Sequence, residues 1–229
     1  MGVRKDYRKL TADERDRFVR ALRHVKSTGL IDRFAQMHAR HFSMGIHRTS
    51  HFLPWHRELL RRFEHQLQDF RPAITLPYWN SAADRGTDAA LWNNGFMGQF
   101  NADWNLRRAL GPKPNCGNLP TPQEVRTNRG RGTYDVFWPE LENPIHNGPH
   151  CWVGGEMNDT DSPHDPVFYL HHCWIDKLWA MWQIAHPGAP FVSSGQGFGL
   201  NDPLMEWPNR TPASVIDHHA LGYSYDSED

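Results

Sequence analysis

The stretch Pro166-Val-Phe-Tyr-Leu-His171-His172-Cys-Trp-Ile-Asp176-Lys-Leu-Trp179 decides the fold. Val167, Leu170, Ile175, Leu178, Trp179 and Trp182 predict a long buried helix over 166–186, ended by Pro187 and Gly188. Working outward, Thr11-Ala-Asp-Glu14 reads as a capping box. It opens a helix near 11–27 on which Phe18, Ala21, Leu22 and Val25 follow at helical spacing, with Gly29 as its stop. A second helix over 30–41 sets Ile31, Phe34, Ala35 and His38 on neighbouring rows. Residues 41–50 have no period and predict a turn or loop. Pro54 stands where a helix begins, and Leu59, Leu60, Phe63 and Leu67 form the apolar stripe of a third helix over 55–70. Order returns at 141–153.

Between these helices the chain has another character. Residues 71–138 are rich in Gly, Pro, Asn and Arg, and Gly111-Pro-Lys-Pro-Asn-Cys116-Gly-Asn and Asn128-Arg-Gly-Arg-Gly132 are loop sequences. The tail from 199 to 229 is mostly irregular and ends acidic. No internal repeat and no composition break divides the chain. The expectation is one mainly α domain spanning 1–229, with long irregular loops and few short strands.

Composition narrows the function. Among 229 residues, 25 Lys and Arg balance 26 Asp and Glu, a net charge of −1. That balance gives no long-range attraction to nucleic acid or to acidic membranes. The sequence lacks the run of about 18 apolar residues that a membrane span requires. An aromatic fraction of 12%, with 10 Trp, argues against disorder. Histidine is the anomaly, at 15 residues, and a surplus of imidazole in a neutral chain raises the expectation of a metal site. Three cysteines, Cys116, Cys151 and Cys173, allow at most one bridge, so a reducing interior is the plainer reading. The N-terminal residues lack the apolar stretch of a classical secretory signal. The expected location is therefore cytoplasmic, or exported by a route not written in this chain, such as riding on a partner.

The histidines fall into two groups roughly a hundred residues apart: His38, His41, His47, His51 and His56, then His146, His150, His171 and His172. His146 and His150, four apart, share a face if helical. With His172 from the long helix they make a three-imidazole cup. His38, His47 and His56 make a matching one, and helix bundles commonly build metal sites this way. Spacing alone leaves zinc, iron, nickel and copper open.

The run His47-Arg-Thr-Ser-His-Phe-Leu-Pro-Trp-His56-Arg57, with Phe63-Glu64 after it, resembles the first copper motif of tyrosinases. Ile145-His146-Asn147-Gly-Pro-His150-Cys-Trp-Val-Gly-Gly155 and Ser162-Pro-His-Asp-Pro-Val-Phe-Tyr-Leu-His-His172-Cys-Trp-Ile-Asp176 resemble the second. The family is the type 3 dicopper phenol oxidases: tyrosinases, catechol oxidases and o-aminophenol oxidases. The resemblance spans nearly the whole chain and extends to Arg4 and Tyr223-Ser-Tyr225, where the two ends of the core domain meet. It implies a four-helix bundle enclosing two copper ions, with dioxygen as co-substrate. His38, His47 and His56 would hold one copper, with His41 as the competitor of His38. His146, His150 and His172 would hold the other. His171 becomes a packing residue, and His51 and His164 take surface or rim roles.

The resemblance also implies that Glu142 and Asn147 hold a water that takes the proton of an incoming phenol. Cys151 would line the entrance, with packing as its expected role. Gly45 stands where some relatives carry the cysteine of a thioether crosslink, so that link is not expected. Asp176, one helical turn beyond His172, is expected to pair with Arg57. The implied activity is ortho-hydroxylation of monophenols and oxidation of o-diphenols to o-quinones. An o-aminophenol or catechol oxidase without monophenolase activity is the alternative, and an oxygen carrier like hemocyanin or a dizinc hydrolase a more distant one. A small phenol is the implied partner, together with a copper-delivery helper protein as in some bacterial relatives. The sequence sets no oligomeric state.

Overall fold

The computed structural model describes residues 2–104, 106–114, 116, 118–192 and 197–228. Strand β1 (Gly2–Arg4) leads into α1 (Ala12–Ser27), which opens on the expected capping box: Glu14 N donates to Thr11 Oγ1 at 3.1 Å and Thr11 N to Glu14 Oε2 at 2.9 Å. Gly29, at φ 72°, turns the chain into α2 (Leu30–His41). Helix α3 (Phe52–Phe70) begins three residues before the expected position, and Pro54 lies inside its first turn. Proline is tolerated there because the first amides of a helix have no acceptor within it.

The segment 71–138 is not wholly irregular. It contains α4 (Phe100–Asp103), α5 (Pro122–Arg129) and α6 (Tyr134–Glu140). Helix α5 starts on a second capping box, Thr121 with Glu124, the same signal that marks α1. A kinked segment (Leu141–His146), broken at Asn143 by an extended backbone (φ −136°, ψ 118°), precedes α7 (Asn147–Val153). The long α8 (Val167–Ala185) is buried without a break from Val167 to Trp182. A continuous burial of that kind marks the central helix of a bundle. After α9 (Pro212–Val215), β2 (Tyr223–Tyr225) pairs in parallel with β1, setting Arg4 opposite Tyr225. Helices α2, α3, α7 and α8 surround the histidines; α1 packs on α2 and α3 from outside. Among the described residues no helix is long and apolar enough to cross a membrane.

The two longest helices are locked by buried charge. Arg57 Nε on α3 donates to Asp176 Oδ1 on α8 at 2.5 Å, the pair expected from the sequence. Arg4, fully buried, places Nη2 2.8 Å from Glu64 and Nη1 3.3 Å from Asp176. The hydroxyls of Tyr223 and Tyr225 both donate to Asp176 Oδ2 at 2.6 Å. The guanidinium of Arg4 lies 3.5 Å above the Tyr223 ring and that of Arg57 3.7 Å above Trp179. Burial alone would raise the Asp176 pKa. Arg57, Arg4 and the two hydroxyls outweigh it and hold the carboxylate below its usual range.

A buried pair broken on one side leaves an uncompensated charge, at a loss of about 3–5 kcal/mol. Asp176→Asn should therefore lower the urea midpoint by that equivalent. Because the folded carboxylate titrates below its unfolded value of about 4, its contribution is present above that pH. It is lost as the pH falls through the folded value, so the acid limb of a stability–pH curve should flatten in Asp176→Asn.

Candidate metal centre

His38 comes from the end of α2 and His56 from the first turns of α3. His47 lies in the turn between them. Gly45 (φ 111°) and Arg48 (φ 58°) bend that turn through left-handed conformations, which a non-glycine residue such as Arg48 adopts only when something holds it there. The holding contact is Glu142, whose Oε1 and Oε2 accept the Arg48 amide at 2.9 and 3.0 Å. His38 Nε2 stands 3.1 Å from His47 Nε2 and 3.4 Å from His56 Nε2.

The second cup is built by α7 and α8. His146 is the residue before α7, His150 lies within it, and His172 is on α8. His172 Nε2 is 3.2 Å from both His146 Nε2 and His150 Nε2. The cups face each other: the His56 and His172 rings stack with centroids 4.4 Å apart, and His47 lies over His146 at 5.6 Å.

The opposite ring nitrogens decide what the cups can hold. Backbone carbonyls only accept, so Nδ1 carries the proton on His38 (to Thr160 O, 2.6 Å), His56 (to Phe52 O, 2.8 Å) and His150 (to Met157 O, 2.5 Å). His47 Nδ1 faces Glu142 Oε1 at 3.0 Å, and His146 Nδ1 faces Asn147 Oδ1 at 2.9 Å. His172 Nδ1 has no partner among the described residues. Burial is the main cause that drives His38, His56, His146 and His172 far below the usual imidazole range, with His47 at about 3 and His150 at about 4. The rings are thus neutral, and the five whose Nδ1 donates outward turn a bare Nε2 lone pair into the cups. Imidazole nitrogens bound about 2.0 Å from one first-row ion stand roughly 3.3 Å apart, which matches both cups. Neutral, all-nitrogen donors, five of the six with Nδ1 hydrogen bonded outward, are the environment of a copper or zinc ion.

Ring atoms of His146, His150 and His171 also lie within 4.8 Å of one another. His171 Nε2, however, donates to the His146 carbonyl at 3.0 Å, and the two rings stack at 5.4 Å. His171 therefore props His146, and His172 supplies the nitrogen equidistant from the other two. His41 points away, its Nε2 2.6 Å from Glu206 Oε2. His51 is not at the surface: it is fully buried against Phe198, with ring centroids 4.2 Å apart, because α3 begins at the next residue and carries it inside. His164 is half-buried beside Asp161 and Asp32. Burial pushes the Glu142 carboxyl up to about 7, with the Arg48 amide and charge pulling back. Asn147 is exposed beside His146.

Two aromatics that stand in the quoted motifs without an assigned role fix the rings. Phe52 and Phe168 each sit one turn before a cup histidine, Phe52 to His56 and Phe168 to His172, at 5.0 and 4.0 Å between centroids. The shared four-residue spacing was the available signal.

Cys151 is not a packed thiol. It is joined to Cys116, with Cα atoms 5.7 Å apart, while Cys173 is free and buried. The bridge belongs to a strap laid along α7. Ala109 N donates to Val153 O at 2.8 Å, Gly111 N to Trp152 O at 3.0 Å, and Lys113 Nζ to Trp152 O at 2.8 Å. Those carbonyls are orphans of the last helical turn. A side chain on Gly148 would meet the Asn118 carbonyl at 2.9 Å, and one on Gly155 would overlap that of Arg107. At seven residues α7 is too short to be stable alone, so the strap and the bridge supply its order.

The sequence family described as the common central domain of tyrosinase matches residues 29–109 and 99–185. A tyrosinase of Streptomyces antibioticus is 38% identical over 99% of this chain and 100% of its own length. Grixazone synthase of Streptomyces griseus is 33% identical over 98% of this chain and 99% of its own. Among solved structures, a functional unit of octopus hemocyanin aligns with a TM-score of 0.79 at 22% identity, covering 100% of this chain and 69% of that one. A polyphenol oxidase of Thermothelomyces thermophila aligns at 0.77 and 19%, covering 99% and 89%. The facing imidazole cups, the α-helical bundle that carries them and the full-length likeness to Streptomyces tyrosinases agree: the chain belongs to the tyrosinase family.

Proposed function

We propose that this chain is a type 3 copper oxidase that ortho-hydroxylates monophenols and oxidises o-diphenols to o-quinones. The observation that carries the reading is the pair of facing cups, in each of which one neutral imidazole places its Nε2 3.1 to 3.4 Å from the Nε2 atoms of the other two. His38, His47 and His56 hold one copper, and His146, His150 and His172 the other. Bound there, the copper pair supplies two-electron oxidation with dioxygen as co-substrate.

The protein's own part is to orient rings and to manage a proton. Glu142 has two duties. Its Oε1 accepts a hydrogen bond from His47 Nδ1–H, which aims Nε2 into the cup, and its burial gives it an affinity for protons suited to neutral pH. A phenol titrates near 10, so it needs a base in order to bind as phenolate. Glu142 is that base, acting through a water shared with Asn147, whose Oδ1 meanwhile steadies the His146 ring. Phe52 and Phe168 exclude water from the sides of the rings.

The Cys116–Cys151 bridge supports a working location in an oxidising compartment, the exported half of the sequence expectation. Because His38, His56, His146 and His172 are all buried, delivery of copper by a helper protein fits this chain.

Metal analysis separates the two candidates for the first ligand. His38→Ala should reduce bound copper from two ions per chain to about one, whereas His41→Ala should keep both. Glu142→Gln should lower the rate on a monophenol by about 100-fold and that on a catechol much less. Equal losses on both substrates would remove the base role. Running an o-aminophenol alongside tests the grixazone synthase-like chemistry. Thiol titration of the denatured, unreduced chain should find one free cysteine; three would defeat the oxidising location.

A further inference from the structure

The last turn of the chain brings a second set of metal-binding groups together, away from the two cups. Asp217, His218 and His219 begin two residues past the end of α9, and their ligand atoms lie within 4.8 Å of one another. Beyond β2 the chain returns, and the Glu228 carboxylate reaches both imidazoles: Oε1 is 3.2 Å from His218 Nε2 and Oε2 3.1 Å from His219 Nε2. The two rings lie side by side, centroids 4.0 Å apart. Asp217 Oδ1 accepts the amides of His219 and Ala220 at 2.9 and 3.2 Å, which fixes the turn that presents the rings.

We propose that Asp217, His218, His219 and Glu228 form a third, peripheral metal site for zinc or copper(II). Two imidazoles with carboxylate oxygens are a donor set for borderline divalent ions. The side chain of His218 is buried, while the His219 ring is 47% exposed, so one face of the group is anchored and the other opens to an arriving ion. None of the four residues belongs to either cup. The site also has a structural consequence. Its ligands flank β2, and the His218 ring lies 5.5 Å from Tyr223 and 6.1 Å from Tyr225, the two residues whose hydroxyls satisfy Asp176. An ion here clasps residue 217 to residue 228 around β2 and stabilises the closed tail, because it binds only the folded chain.

The test uses the copper-loaded enzyme, dialysed free of loosely held metal and titrated calorimetrically with zinc chloride. One zinc should bind per chain, and its addition should raise Tm. In His219→Ala and Glu228→Gln the zinc affinity should fall by at least about 10-fold and the Tm increment should vanish. Both variants should keep the copper content and the phenol-oxidising rate of the wild type, so failure of this site is distinguishable from failure of the dicopper reading. With copper(II) in place of zinc, the wild type should show a mononuclear electron-paramagnetic signal that both variants lack. No zinc bound by the wild type, or equal zinc binding in wild type and variants, overturns the proposal.

Discussion

Everything in this molecule depends on where the cup imidazoles keep their protons. An imidazole that donates from Nδ1 presents a bare lone pair at Nε2. Three main-chain carbonyls, an amide oxygen and a carboxylate impose that choice on five rings. Burial then removes the alternative of a second proton, because a charged imidazole in a dry interior is unfavourable. The resulting clusters of lone pairs repel one another until a cation joins them. The carbonyls that do this work belong to Phe52, Met157 and Thr160, so the centre is made as much by backbone as by side chains.

The helices were legible because their signals are local. The capping box at Thr11, the stripe on α3 and the uninterrupted burial of α8 follow from spacing alone. The same capping signal at Thr121 was present in the sequence but lay within a segment whose composition suggested loop, and composition outweighed it. The six cup histidines and the Arg57–Asp176 pair were also accessible, since helix geometry and family motifs constrain them jointly. The hidden features are those set by distant chain. The choice of His38 over His41 depends on Thr160 and Glu206, far along the sequence. The burial of His51 depends on Phe198. The pairing of Cys116 with Cys151 depends on how the strap runs along α7, which no spacing rule encodes.

The two halves of the centre are joined at two levels. At the rings, Glu142 stands next to the second cup in sequence yet orients His47 in the first. Four residues beyond His172, Asp176 binds Arg57, the neighbour of His56. The bond thus fixes α8 against α3 and, with it, the separation of His172 from His56. Rigid packing of this kind holds a reactive site to the sub-ångström geometry that such chemistry requires.

The parallel pairing of Gly2–Arg4 with Tyr223–Tyr225 ties together segments more than two hundred residues apart. During synthesis Arg4 leaves the ribosome long before Tyr223 and Tyr225 and waits for them. Until then the guanidinium has no finished socket, and Asp176 has neither of its two phenolic donors. A nascent polypeptide that has released every cup histidine but not yet Tyr223 and Tyr225 therefore holds α3 to α8 through Arg57 and Asp176, without the two phenolic donors that complete the clamp.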